Sequence, residues 1–131
     1  MPQETNLVPN LWNRAQAPQD PVAELVYASN LLGSDPRITN FGGGNTSSKV
    51  QMNDPLTGEP VTVLWVKASG GDLGSAKAAN FASLYLDKVT GLERVYGPDR
   101  PIKIEDEIVP LYMSCVYGGN TAAPSIDTPL H

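Results

Sequence analysis

The chain has 131 residues, of which 40% are hydrophobic, so it is long enough for one packed domain or a large part of one. Lys+Arg 9 against Asp+Glu 14 gives a net charge of −5, which argues against a surface for nucleic acid or anionic membrane. The single cysteine, Cys115, excludes an internal disulfide framework, and no apolar run approaches the ~20 residues of a membrane helix. With no secretory signal pattern at the start, we expect a soluble cytoplasmic protein that binds neither nucleic acid nor membrane.

The first part of the chain predicts an irregular lead-in and then a helix. Residues 1–19 contain prolines and show no clear period. Asp20 and Pro21 then have the form of an N-cap followed by proline at the first helical position. Apolar residues recur at helical spacing, and Gly33 is a suitable stop, so the pattern predicts a helix over residues 20–32.

The most unusual stretch is "NFGGGNTSSKV", residues 40–50, which follows a short strand predicted in "RITNF", residues 37–41. One interpretation is a turn between strands, in which the three glycines supply positive φ angles. The other is a phosphate cradle, in which bare backbone N–H groups and the Asn45 amide donate to an oxyanion. The pattern is neither a Walker loop nor a dinucleotide fingerprint. From these residues alone, both interpretations stay open.

A hairpin is predicted after the glycines. "PVTVLWVKA", residues 60–68, is the strongest strand signal, and its nearly continuous apolar run predicts that both faces are covered. The turn residues in "NDPLTGE" connect it to a strand over residues 45–52. A second glycine-rich loop, "SGGDLG" (residues 69–74), follows the buried strand.

The C-terminal part predicts a strand near residues 82–87, then a helix, and then another helix that begins at acidic residues. That last helix runs to Cys115, with Pro110 in its first turn. "APSIDTPLH" predicts a helix start with Ser125 as the N-cap. Because the sequence stops within that turn, we expect the chain to be part of a longer protein. The Ser125 hydroxyl group is a third weak anion-binding feature, besides the two glycine-rich loops.

Three of these stretches resemble, in the same order, landmarks of the class II aldolase/adducin family. "GNTSSK" (44–49) resembles the landmark G-N-x-S-x-R. "VLWVKASG" (63–70) resembles a strand that ends in Thr/Ser-Gly, and "APSIDTPLH" (123–131) resembles P-S-x-E before a helix. Longer phrases, such as "LWVKASGGDLG" and "NFASLYLDK", are similar to the N-terminal part of bifunctional rhamnulose-1-phosphate aldolase/lactaldehyde dehydrogenases. The resemblance implies that residues 20–131 are the N-terminal portion of a three-layer α/β/α domain with a largely antiparallel sheet.

The resemblance also implies a function for the full-length protein. Members of the family are zinc-dependent lyases that cleave a ketose 1-phosphate, here L-rhamnulose 1-phosphate, into dihydroxyacetone phosphate and L-lactaldehyde. By position, the contacts to the phosphorylated sugar fall on Gly44, Asn45, Ser69, Gly70 and Ser125. Asp127 takes the place of the catalytic glutamate that moves a proton at the carbon that becomes nucleophilic. A homo-oligomer, commonly a tetramer, and NAD for the absent dehydrogenase domain are also implied.

The chain departs from the family pattern at several positions. Asp127 is one methylene shorter than glutamate, and its alternative role is that of an acid favouring a helix N-terminus. Ile126 stands where several relatives have a second phosphate-binding serine. Lys49 replaces the usual arginine, which keeps the charge but loses the bidentate fork.

The metal site is the largest departure. The family's zinc is bound by histidines that follow the P-S-x-E landmark, whereas the chain's one histidine is His131. Because a lone histidine is a poor metal site, we predict that these residues alone bind no catalytic zinc and have no aldolase activity. Two alternatives to the aldolase stay open: a sugar-phosphate 4-epimerase of the same fold, and an adducin-like module that binds without catalysis.

Overall fold

The computed structural model describes residues 8–95 and 103–131, with side chains at all of these positions except 103–106. The helices and strands in these ranges are α1 (Pro21–Gly33), β1 (Ser47–Asn53), β2 (Pro60–Lys67), β3 (Phe81–Tyr85), α2 (Leu86–Gly91) and α3 (Lys103–Leu111). Short 3₁₀ helices cover Leu73–Ser75, Ala78–Asn80, Leu92–Arg94, Tyr112–Cys115 and Thr128–Leu130. In the described part of the chain, every helix is too short or too polar to cross a membrane.

The three strands form one antiparallel sheet in the order β1-β2-β3. β1 and β2 make the predicted hairpin, in a register that pairs Ser47 with Val66. β3 pairs with the other edge of β2 and places Phe81 opposite Lys67. The predicted hairpin is therefore confirmed, and so is a strand near residues 82–87 followed directly by a helix.

Helices cover both faces of this sheet. On one face, Leu25 of α1 forms a buried cluster with Ala76 and Phe81. On the other face, Val89 of α2 and Cys115 form a buried cluster with residues of β2 and β3. Burial is the main influence on the Cys115 thiol, and it raises the pKa of that group. The arrangement confirms the predicted α/β class with an antiparallel sheet.

Helix α1 begins as its sequence predicts. The Asp20 carboxylate accepts a hydrogen bond from the Ala23 backbone N–H at 2.9 Å, and Pro21 occupies the first turn. This contact satisfies one of the backbone donors that a helix N-terminus leaves unpaired. The helix ends at Gly33, where the Ser34 N–H donates to the Asn30 carbonyl at 3.0 Å.

The strand predicted over residues 37–41 is wrong, because this segment forms turns. The backbone N–H groups of Ile38 and Thr39 both donate to the Asp35 carbonyl at 3.0 Å. The Asp35 carboxylate also accepts from the Arg37 backbone N–H at 2.9 Å. An aspartate that bonds its own downstream backbone favours a turn over an extended chain.

Two predictions about helix ends also differ from the structure. Pro110 lies near the C-terminal end of α3 rather than in its first turn, and the α-helix ends one residue later, before a 3₁₀ turn. A proline without an N–H group is tolerated there because the regular bonding pattern is already ending. Ser125 is not the N-cap of the last helical turn, whose N-cap is Asp127.

Candidate active site

A cleft of about 270 Å³ lies where three separate segments of the chain meet. The segments are the glycine-rich loop before β1, the end of β2 with the loop after it, and the segment near the C-terminal 3₁₀ turn. The lining residues are Gly42, Gly43, Gly44, Asn45, Lys67, Ala68, Ser69, Gly70, Ser125 and Asp127. All six residues that the sequence predicts for substrate contact or catalysis are therefore brought together, while their roles stay predictions.

The first wall is the glycine-rich loop. Gly42 and Gly44 have positive φ angles of 77° and 92°, which favour glycine. A Cβ at Gly44 would lie 2.7 Å from Thr39 Cγ2 and 2.9 Å from Leu73 Cδ2. Glycine is thus required at position 44 by both the backbone angle and the neighbouring side chains. The Gly43 N–H closes a turn on the Asn40 carbonyl at 3.0 Å, so the loop both turns the chain and lines the cleft.

Asn45 carries an unpaired polar atom in this wall. Its side-chain oxygen is buried and has no hydrogen-bond partner among the described residues. Buried polar atoms are nearly always paired, so an unpaired one beside a cleft marks a place for a ligand or water. Because no hydrogen bond to another described residue fixes its orientation, the amide can turn either its oxygen or its N–H₂ group to a ligand.

The second wall is the end of β2. The Ser69 N–H donates to the Ala123 carbonyl at 3.0 Å, and Ala68 forms an isolated antiparallel bridge with Pro124. These contacts join the second wall to the third. Gly70 follows with a φ angle of 81°, again a conformation that favours glycine.

Lys67 is a residue of this wall that the sequence reasoning missed. It lines the cleft and is only 3% exposed. The signal that could have revealed it is a lysine at the last position of an otherwise apolar, buried strand, directly before the Ser-Gly motif. A charge at such a position is rarely left fully buried without a partner.

The third wall is a tight turn around Ser125, which is buried. The Ser125 hydroxyl accepts from the Asp127 N–H at 3.3 Å, and the Ser125 carbonyl accepts from the Thr128 N–H at 3.0 Å. Asp127 is exposed at the edge of the cleft. Asn120 anchors the segment before this turn by donating to the Phe81 carbonyl at 2.9 Å.

The two glycine-rich loops are also connected directly. The Gly42 N–H donates to the Asp72 carboxylate at 3.0 Å, and the Leu73 N–H donates to the Gly43 carbonyl at 3.3 Å. The first and second walls therefore hold each other in place. Asp72 is a further residue that sequence reasoning did not single out, because its partner lies 30 positions away.

Two of the residues that depart from the family pattern, Ile126 and Lys49, lie outside the cleft lining, whereas the third, Asp127, is part of it. Ile126 faces a separate apolar groove of about 550 Å³, together with residues of α2 and α3. Lys49 donates to the carbonyl of His131, whose Nδ1 lies 2.7 Å from the Ser47 hydroxyl. Burial lowers the pKa of the His131 imidazole. The groove is lined mostly by apolar side chains, whereas the smaller cleft contains the six residues that the sequence predicts.

The described residues do not fit a metal centre. Across residues 8–95 and 107–131, no three His, Cys, Asp or Glu side chains are grouped so that they could hold a metal ion. The zinc that the resemblance implies therefore finds no ligand set here. What the cleft lining offers is a set of hydrogen-bond donors, one buried ammonium and one carboxylate.

Comparison with known proteins identifies the fold. The chain is 42% identical over 128 residues to the uncharacterized oxidoreductase YuxG of Bacillus subtilis (strain 168). Its structure matches the N-terminal class II aldolase domain of a conserved protein from Thermoplasma acidophilum, with a TM-score of 0.77 and 28% identity. The chain has the class II aldolase fold. The resemblance predicted from the sequence is thus confirmed.

The extent of these matches is uneven. The alignment with the Bacillus protein covers 95% of this chain but 18% of that protein. The structural match covers 93% of this chain and 54% of the Thermoplasma chain. No family model matches the sequence. The class II aldolase fold is therefore established for a region that is much shorter than its curated relative.

Proposed function

We propose that the full-length protein is a class II aldolase that cleaves a ketose 1-phosphate, with L-rhamnulose 1-phosphate as the favoured substrate. The products are dihydroxyacetone phosphate and L-lactaldehyde. The observation that carries the proposal is that one cleft gathers the residues at all six predicted positions, drawn from three segments of the chain. The class II aldolase domain from Thermoplasma acidophilum, which shares this fold, supports lyase chemistry.

The cleft has the composition of a phosphate site. Its lining contains three consecutive glycines and a Ser-Gly pair, where backbone N–H groups can approach an oxyanion closely. The hydroxyl groups of Ser69 and Ser125 and the amide of Asn45 add side-chain donors. We assign the substrate phosphate to these groups.

Asp127 is the one carboxylate in the described lining, and a carboxylate can carry a proton to or from a carbon atom. In the cleavage direction, the bond between C3 and C4 breaks, and the C4 hydroxyl loses its proton as the aldehyde forms. The electron pair left on C3 then takes a proton, which completes dihydroxyacetone phosphate. We assign this last proton transfer to Asp127, at the position of the family's catalytic glutamate.

The remaining parts of the proposal lie outside the described residues. Zinc and its ligands, and an NAD site in a dehydrogenase domain, belong to other parts of the full-length protein. The Bacillus relative is named an oxidoreductase, and this name supports the proposed dehydrogenase domain. We also propose that the full-length protein is a homo-oligomer and that this chain alone does not cleave the substrate.

The test is an assay of dihydroxyacetone phosphate release by the full-length protein from L-rhamnulose 1-phosphate. Asp127→Asn should lower kcat by about 10²- to 10⁴-fold, the usual contribution of a positioned acid or base. Asp127→Glu, which restores the residue type of the family, should keep more activity than Asp127→Asn. Glu59→Gln is the matched control, because Glu59 is an exposed acid in the hairpin turn.

Three outcomes would each contradict a part of the proposal. Full activity in Asp127→Asn would remove this residue from the chemistry. A wild-type protein that cleaves no ketose 1-phosphate but epimerises a pentulose phosphate would instead support the sugar-phosphate 4-epimerase. Robust cleavage by the 131-residue chain alone, with added zinc, would contradict the predicted inactivity of this region.

A further inference from the structure

Lys67 is a buried cation at the base of the cleft wall formed by β2. It is the last residue of that strand, is 3% exposed and lines the cleft. Its ammonium group donates to the Gly70 carbonyl at 2.8 Å and to the Ala68 carbonyl at 3.3 Å. Both carbonyls belong to the loop that carries the Ser-Gly motif.

Lys67 forms no ion pair in the described part of the chain. No carboxylate oxygen there lies within 4.0 Å of its nitrogen. An ammonium group has three N–H donors, and the two carbonyls use two of them. Burying a charge is costly unless an opposite charge and further hydrogen bonds compensate it. An anion bound in the cleft would supply both.

The same hydrogen bonds also set the shape of the loop. Gly70 and Gly71 both have φ angles of 81°, and the Gly70 carbonyl is drawn to the ammonium. In a trans peptide the carbonyl and the N–H point in opposite directions. Fixing the Gly70 carbonyl on Lys67 therefore directs the Gly71 N–H away from the ammonium.

We propose that Lys67 is a phosphate-binding and positioning residue of this cleft, which neutralises substrate charge with its remaining donor while it holds the loop of residues 68–71. This inference rests on the proposed function, because it takes the anion to be the phosphate group of the substrate. It adds a charged side chain to a site that otherwise consists of neutral donors and one acid.

The first experiment measures binding of inorganic phosphate and of dihydroxyacetone phosphate to the full-length protein by titration calorimetry. Lys67→Met should weaken both by about 10- to 100-fold, since hydrogen bonds to charged groups are worth this much. Lys67→Arg, which keeps the charge, should recover most of the affinity. Lys77→Met is the matched control, because Lys77 is exposed and outside the cleft lining. In the cleavage assay, Lys67→Met should raise KM more than it lowers kcat.

A second measurement does not depend on whether Lys67→Met folds. In wild-type protein labelled with ¹⁵N at lysine side chains, the Lys67 signal should shift and saturate as inorganic phosphate is added. The Lys67→Arg spectrum, which lacks this signal, identifies it. A Lys67 signal unmoved at saturating phosphate, or equal phosphate affinity in folded Lys67→Met, would overturn the inference and leave the proposed function standing. A wild-type protein that binds neither inorganic phosphate nor dihydroxyacetone phosphate would overturn both this inference and the proposed function.

Discussion

Gly33, the last residue of α1, is in backbone contact with Gly74, just after the loop that lines the cleft. A Cβ at position 33 would lie 2.1 Å from the Gly74 nitrogen and 2.6 Å from its Cα. In the reverse direction, a Cβ at position 74 would lie 2.9 Å from the Gly33 carbonyl oxygen. Since these neighbours are backbone atoms, the spacing of the helix and the loop depends on the two glycines.

Gly33→Ala should therefore force this helix end and the loop apart. We expect the free energy of unfolding to fall by roughly 1–3 kcal/mol, as for other overpacked sites, measured by urea denaturation. Leu73 should move with the loop and weaken its bond to the Gly43 carbonyl, so that KM for the phosphorylated substrate rises. The control is Gly91→Ala, because a Cβ at position 91 would meet nothing within 4 Å. If both variants were equally stable, the contact would not limit packing.

Asn120 should be needed to hold the third wall of the cleft. Its side-chain N–H₂ donates to the Phe81 carbonyl at 2.9 Å and to the Ser83 hydroxyl at 3.1 Å. Asn120→Ala leaves the buried Phe81 carbonyl without this donor, so we expect a loss of about 1–3 kcal/mol in the free energy of unfolding. KM should rise as well, because the segment that carries Ser125 loses an anchor.

The matched control for that variant is Asn53→Ala, an exposed asparagine at the end of β1. It should leave the free energy of unfolding almost unchanged. An Asn120→Ala protein with wild-type stability and wild-type KM would show that the backbone bridge between Ala68 and Pro124 is sufficient to hold the segment.

The Asp35–Arg37 pair predicts a dependence of stability on pH. The Arg37 side chain bonds the Asp35 carboxylate through Nε at 3.0 Å and Nη2 at 2.8 Å, and this side-chain hydrogen bonding is the main cause that lowers the Asp35 pKa below 3.8. A carboxyl group with a lowered folded-state pKa stabilises the fold above its unfolded pKa. The contribution is lost as the pH falls through the folded-state value.

The measurement is the free energy of unfolding of wild type and Asp35→Asn across a pH series. The difference between them should be constant at neutral pH and should shrink as the pH falls below 3.8, the ordinary value. A difference that does not change with pH would mean that the carboxylate charge contributes nothing to the turn. Glu59→Gln, at an exposed acid, serves as the control.

Local chemistry explains which elements could be predicted from the sequence. Asp20 and Pro21 define a helix start by their own hydrogen bonding and φ angle, so the helix followed from a few neighbouring residues. "RITNF" has the composition of a strand, but the Asp35 carboxylate and carbonyl accept hydrogen bonds from the backbone N–H groups that follow, which forms a turn. A side-chain contact of this kind overrides the propensity of the residues themselves.

The cleft could be predicted only in part, for a different reason. Residues such as Gly44, Ser69 and Ser125 were assigned through resemblance to a family, because their convergence is a property of the fold and not of any local pattern. Lys67 was missed because a sequence displays neither the burial of its side chain nor the lack of an ion-pair partner among the residues that the structure describes. Family position therefore predicted these residues and Asp127, while the structure was needed to find the buried lysine.

The bridge between Ala68 and Pro124 has a consequence for biosynthesis. The β1–β2 hairpin needs only local contacts and can form while the chain is still emerging from the ribosome. The cleft cannot, because its third wall comes from residues 125–127 and is joined to the sheet by that bridge and by Asn120, 39 positions after Phe81. During translation, the cleft can therefore be completed only after this turn has been synthesised and has packed against the sheet.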